Sequence, residues 1–114
     1  MRIRHRIFKA CLLALGMASA PLHAQEPYPA RPIKLIVPFA PGGVTDLTGR
    51  TFAKYMSDAL KQPIVTENKP GAGALIGANY VARSASDGYT LLLGTNVTHA
   101  INPQLMTSTP YDPL

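Results

Sequence analysis

Short apolar runs alternate with longer stretches in which apolar residues recur every three or four positions. Ile33-Lys-Leu-Ile-Val37, Ile64-Val-Thr-Glu67 and Thr90-Leu-Leu-Leu93 are the short runs. None alternates cleanly with period two, and such runs suit strands covered on both faces, as in parallel sheets. Between the first two runs, Gly49, Phe52, Ala53, Met56 and Leu60 follow the spacing of one helix face over 45–60. Arg50, Lys54, Ser57, Asp58 and Lys61 fill the opposite side, with Lys54 placed to meet Asp58 at i,i+4. Over 74–83, Leu75, Ala78, Val81 and Ala82 make a second, shorter stripe. The order β-α-β-α-β predicts right-handed crossovers and an α/β fold with a doubly wound, mainly parallel sheet.

Each run ends in turn residues: Pro38 to Asp46, Asn68 to Gly73, and Gly94 to His99. In a parallel sheet these three loops share the carboxyl edge of the strands, where open α/β sheets bind ligands. The loops are rich in glycine and poor in charge, with Lys69 as their one cation. Gly42-Gly43 and Gly71-Ala72-Gly73 allow close backbone approach ahead of a helix start. Thr45 or Asp46 is placed to cap the first helix. Helix starts carry unpaired N–H groups and suit a carboxylate or phosphate. The pattern therefore points to an anion held by backbone amides and by Thr45, Thr95, Asn96 and Thr98.

The basic start Arg2, Arg4, Arg6 and Lys9, the apolar run 10–20 and the Leu22-His23-Ala24 site have the order of a secretory signal peptide. Cleavage is expected between Ala24 and Gln25, which leaves 90 residues. The formal charge of +5 then falls to +1, because four of the eleven basic residues leave and none of the six acidic ones does. That removes the support for a nucleic-acid partner. Cys11 leaves as well, and an exported chain without cysteine fits a bacterial periplasm better than a disulfide scaffold. The ending Pro110-Tyr-Asp-Pro-Leu114 offers no closing helix or strand, so the 90 residues are expected to be the front part of something longer.

Catalytic chemistry finds few residues. His99 is the single histidine after the leader, and no serine stands in a nucleophile-elbow context. One histidine and no cysteine cannot make a nitrogen and sulfur zinc site, and Asp46, Asp87 and Asp112 do not form a calcium loop. The Gly71-x-Gly-x-x-x-Gly77 spacing carries one residue too many for a dinucleotide fingerprint, and no Walker pattern is present. No cofactor is expected. Asp46 is placed equally for a ligand amine or hydroxyl and for helix capping.

The residues Tyr28-Pro-Ala-Arg-Pro-Ile-Lys-Leu-Ile-Val-Pro-Phe-Ala-Pro-Gly-Gly-Val-Thr-Asp46 resemble the opening of the Bug-type solute-binding receptors of tripartite tricarboxylate transporters. The similarity continues through Glu67 to Gly73, Ile76-Gly-Ala78, Asp87 to Gly94, Ala100-Ile-Asn-Pro103 and Pro110-Tyr-Asp-Pro113. The resemblance implies a periplasmic-binding-protein-like (type II) fold of two lobes, with residues 25–114 as the N-terminal part of the first lobe and the second lobe absent. It implies a monomeric, non-enzymatic receptor that captures a small organic acid and delivers it to a membrane permease. By position it implies ligand contacts at Phe39, Pro41, Gly42, Gly43 and Asp46 in the first loop. Gly71, Ala72 and Gly73 follow in the second, and Thr95, Asn96 and His99 in the third. Val44 stands where the family usually has a glycine or small residue, which narrows the pocket. The alternatives are an α/β enzyme domain binding a phosphate-bearing ligand and a fragment without activity.

Overall fold

A computed structural model describes residues 27–113; the leader reading, 1–24, lies outside the described residues. Three parallel strands form one sheet in the order β2-β1-β3: β1 Ile33–Val37, β2 Ile64–Asn68 and β3 Thr90–Leu92. In register, Ile33 to Val37 stand opposite Ile64 to Asn68, and Lys34 to Ile36 opposite Thr90 to Leu92. The ladder runs one residue past the strands, where Lys69 N–H donates to Val37 O and Leu93 N–H to Ile36 O, both at 2.8 Å.

Helix α1, Val44–Leu60, joins β1 to β2; a single 3-10 turn, Ala72–Ala74, and α2, Leu75–Ala82, join β2 to β3. The two helices cover opposite faces, as the period of two along β1 reveals. Val37 points to Gly49 of α1, whereas Lys34 donates to the Tyr80 hydroxyl of α2 at 3.4 Å. With a helix over each face, Ile33, Ile36 and Val37 are at most 1% exposed. The core is thus the central strand itself, Leu35 included, with Ala53, Ala74 and Ala78 around it. The doubly wound parallel order expected from the apolar runs is present.

Two glycines set how closely the helices approach. A Cβ on Gly77 would meet Pro38 Cβ at 2.8 Å and Lys69 O at 2.9 Å. One on Gly49 would meet Val37 Cγ2 at 2.9 Å and Leu93 Cδ2 at 3.1 Å. Both helices therefore lean on the carboxyl end of β1. At the opposite edge the segment before β1 is clamped to the turn before β3. The Tyr28 hydroxyl donates to Gly88 O at 2.7 Å, and Arg31 pairs with Asp87 at 2.9 Å while its guanidinium lies 4.1 Å over the Tyr89 ring.

Three helical expectations need correction. Phe52 is 53% exposed, and Leu60 is exposed as well, so the inward face of α1 is Asp46, Gly49 and Ala53. The reason is that Val44, Leu47, Thr48, Thr51, Phe52 and Tyr55 form a second stripe at the same spacing on the outside, lining a shallow groove. Ala82 is exposed; α2 buries Gly77 and Ala78 instead. Lys54 and Asp58 are not among the ion pairs of the described residues.

Candidate functional site

The three loops meet at the carboxyl edge, and asparagine side chains tie them together. Asn68, the last residue of β2, donates from Nδ2 to Phe39 O of the first loop at 3.0 Å. Asn102 donates from Nδ2 to Gly73 O of the second loop at 2.7 Å. Neither asparagine stands out in the sequence, because an amide that bridges two loops has no local signature.

The first loop is built around Asp46, which is 2% exposed. Its Oδ2 accepts the Gly42 N–H at 2.9 Å and Arg50 Nε at 3.0 Å, and its Oδ1 accepts Asn68 Nδ2 at 2.8 Å. Three of about four acceptor positions are thus used inside the protein. The Arg50 hydrogen bond first, then the Gly42 amide and Asn68, hold this carboxyl at about 2, below its ordinary 3.8, although desolvation acts the other way. Asp46 braces the loop. It is not the cap of α1, and neither is Thr45: the N-cap is Gly43 and no side chain caps the helix. The glycine pair divides the work. Gly42, with φ +86°, needs glycine. Gly43 is extended at φ −80°, with only Ala40 O, at 3.8 Å, near a Cβ. Uncapped, the first-turn N–H groups of α1 have no helical partner and open beside exposed Pro41, Gly42 and Gly43 and half-buried Phe39.

The second loop carries an unusual run of backbone. Gly71, Ala72, Gly73 and Ala74 all have positive φ, at +123°, +47°, +61° and +71°. For the two alanines this left-handed conformation costs about 1–2 kcal/mol each. The Leu75 N–H closes the turn onto Ala72 O, and no side chain caps α2. Lys69 turns away from the edge: its Nζ lies 2.7 Å from Glu67 and 4.3 Å over the Tyr80 ring. The hydrogen bond from Lys69, then that from Lys34, lowers the Glu67 carboxyl below its usual range. Lys34, bonded first to Glu67 and then to Tyr80, is raised in turn. The loop cation is thus part of a network on the α2 face.

The third loop is more helical than its glycine and threonines suggest. After a three-residue β3, Val97–Ile101 form a wide π-type turn that runs into α3, Asn102–Leu105. The Thr98 carbonyl, which Asn102 N–H would meet in an α-helix, accepts the Tyr111 hydroxyl at 2.7 Å, and Pro103 has no N–H to donate to His99 O. Asn102 N–H instead reaches Val97 O. Thr98 is fully buried, with its hydroxyl 2.9 Å from both the N–H and the carbonyl of Thr95 and 2.8 Å from His99 Nδ1. The Thr95 amide is therefore committed internally, and Thr95 Oγ1 is buried with no partner among the described residues. Asn96 and His99 are exposed, with the His99 ring against Gly94.

The edge thus presents backbone N–H groups, small residues and a few neutral polar side chains. Among the described residues no group of three or more His, Cys, Asp or Glu could hold a metal ion. The one carboxylate of the first loop is neutralised by Arg50, a residue the sequence places on the outer side of α1.

Residues 48–114, more than half of the chain, match the family described as the tripartite tricarboxylate transporter family receptor. The protein BugT of Bordetella pertussis is 48% identical over 100 residues, which cover 87% of this chain and 30% of BugT. A solved structure of a periplasmic transporter is 52% identical, with a TM-score of 0.73 over 75% of this chain and 29% of its own. MatC from Rhodopseudomonas palustris, solved with bound malate, is 41% identical, with a TM-score of 0.72 over 75% of this chain and 29% of MatC. The chain spans about 30% of the length of the curated relatives it matches.

Proposed function

The chain belongs to the Bug-type receptors of the tripartite tricarboxylate transporters, and from that premise we propose that it binds a small carboxylate at the carboxyl edge of its sheet. The observation that carries this reading is the uncapped start of α1, open beside Pro41, Gly42 and Gly43 and flanked by two further loops with no free cation or nucleophile. Peptide N–H groups at a helix start hold a carboxylate through hydrogen bonds and the helix dipole together. The likeness to a malate-bound receptor supports the same class of ligand. Phe39, Pro41, Gly42 and Gly43 form the first wall, Gly71 to Gly73 the second, and Asn96 and His99 the third. Asp46 and the Thr95 amide act from behind, as braces.

The wider role follows the family. In this reading the leader is removed between Ala24 and Gln25, and residues 25–114 act in the periplasm as the opening part of a first lobe. A second lobe closes over the acid, and the closed monomer presents it to a membrane permease. The chain is a carrier and performs no chemistry on its cargo.

Thermal denaturation of the chain against mono-, di- and tricarboxylates and inorganic phosphate at millimolar concentration tests the reading. Malate or a related di- or tricarboxylate is expected to raise the midpoint, with chloride at equal ionic strength inert. A rise with phosphate alone would favour a phosphate-binding enzyme domain and overturn the receptor assignment.

A further inference from the structure

The second loop holds four successive residues of positive φ, two of them alanines, yet its turn has no capping side chain of its own. A segment in so sparsely populated a conformation persists when its surroundings impose it. One side chain from outside the loop reaches into it. Asn102, 8% exposed, donates from Nδ2 to Gly73 O at 2.7 Å across 29 positions of sequence. Among the described residues, Asn102 is the one neighbour near the Gly73 Cα from outside the loop: a Cβ there would lie 3.8 Å from Asn102 Oδ1, an ordinary contact distance. Asn102 is itself held at the end of the wide turn by its N–H bond to Val97 O, ahead of Pro103.

We propose that Asn102 is a positioning residue that holds the left-handed Gly71–Ala74 turn at the binding edge and so fixes the second-loop amides relative to the third loop. This rests on the carboxylate reading of that edge and adds to it a residue that does not touch the ligand. The carbonyl needs a donor, and the side-chain amide supplies one without adding charge where an anion is to bind. Pinned in this way, the second and third loops move as one unit, while Asn68 pins the first loop to β2.

Amide hydrogen exchange and malate-induced amide shifts, measured by NMR on the 114-residue chain, test the proposal. Asn102→Ala and Asn102→Asp are expected to speed exchange at residues 73–76 by about tenfold, the loss of one buried hydrogen bond, with β1 unchanged. In both variants the malate shifts at the second loop are lost and those at Val44 and Thr45 persist. Adding Ala74→Gly to Asn102→Ala, which removes strain at φ +71°, is expected to restore part of the protection. A residue that merely fills space would not respond to a change 28 positions away. Unchanged exchange at 73–76, or equal acceleration in β1, would overturn the proposal. In the unsubstituted protein the Asn102 side-chain amide protons must be protected and close to Gly73 and Ala74; freely exchanging protons there would overturn it without any variant. Exchange behaving as expected while malate shifts no amide would remove the carboxylate reading and leave the tie standing.

Discussion

Asp46 is the residue on which the first loop turns. Its carboxylate gathers a backbone amide, a guanidinium and a side-chain amide from three elements, and it is depressed to about 2 as a result. A group whose folded pKa lies below its unfolded value stabilises the fold above the unfolded value and loses that contribution as pH falls through the folded one. The Asp46 contribution is therefore expected to be flat above about pH 4 and to be lost between about pH 4 and pH 2, beside a Glu67 contribution of the same sign, read by urea denaturation at stepped pH. Asp46→Asn is expected to lower the neutral-pH midpoint and to flatten that acid limb. An acid limb unchanged by the substitution would show that the carboxylate is not a brace. Sequence could place Asp46 on the edge, because an acidic residue three positions into a helix is a local signal. It could not reveal that Asn68 would occupy an oxygen, since Asn68 lies 22 positions away; Arg50, at i,i+4, is a local signal that reading the helix faces passes over.

At the scale of elements, the apolar runs identified all three strands and both connecting helices because each run is short and bounded by proline or glycine. The faces were harder to read. Two stripes of equal spacing run along α1, and the larger side chains, Leu47, Phe52 and Tyr55, lie on the outside. The inner stripe won with small residues because the helix must sit close to Val37, which glycine and alanine permit. That packing separates two substitutions of the same kind. Gly49→Ala pushes on Val37 Cγ2 at 2.9 Å, a buried β-branched methyl with little freedom to move, and on Leu93 Cδ2 at 3.1 Å, which can rotate away. A gain in helix propensity of about 1 kcal/mol is expected to offset part of that push, leaving a loss smaller than the one at position 77. Gly77→Ala pushes on the Pro38 ring and the Lys69 carbonyl, which cannot rotate away. It is expected to cost about 1–3 kcal/mol, measured by chemical denaturation. Equal effects at the two positions would contradict the packing described. The third loop was misread for a different reason. Gly94 and the threonines read locally as an irregular turn, whereas Val97–Ile101 form a wide helical turn that continues into α3.

For the whole molecule, parallel order brings three distant loops to one edge, and that topology made the edge legible before any side chain was placed. The residues that remained hidden, Asn68 and Asn102, join those loops by hydrogen bonds, and joining is a property of the fold. The central claim is that peptide amides at the start of α1, and no side-chain cation, grip the acid. Gly43→Val tests it cleanly. The backbone there is extended and only a carbonyl at 3.8 Å lies near a side chain, so the fold tolerates valine while a ligand approaching those amides meets it. The most direct measurement is a malate titration of the chain followed by amide NMR shifts, with Gly43→Val alongside. Saturating shifts concentrated on residues 43–46 and 72–75, abolished by the valine, would uphold the claim. Shifts centred on lysine or arginine side chains, or a response indifferent to valine at position 43, would contradict it.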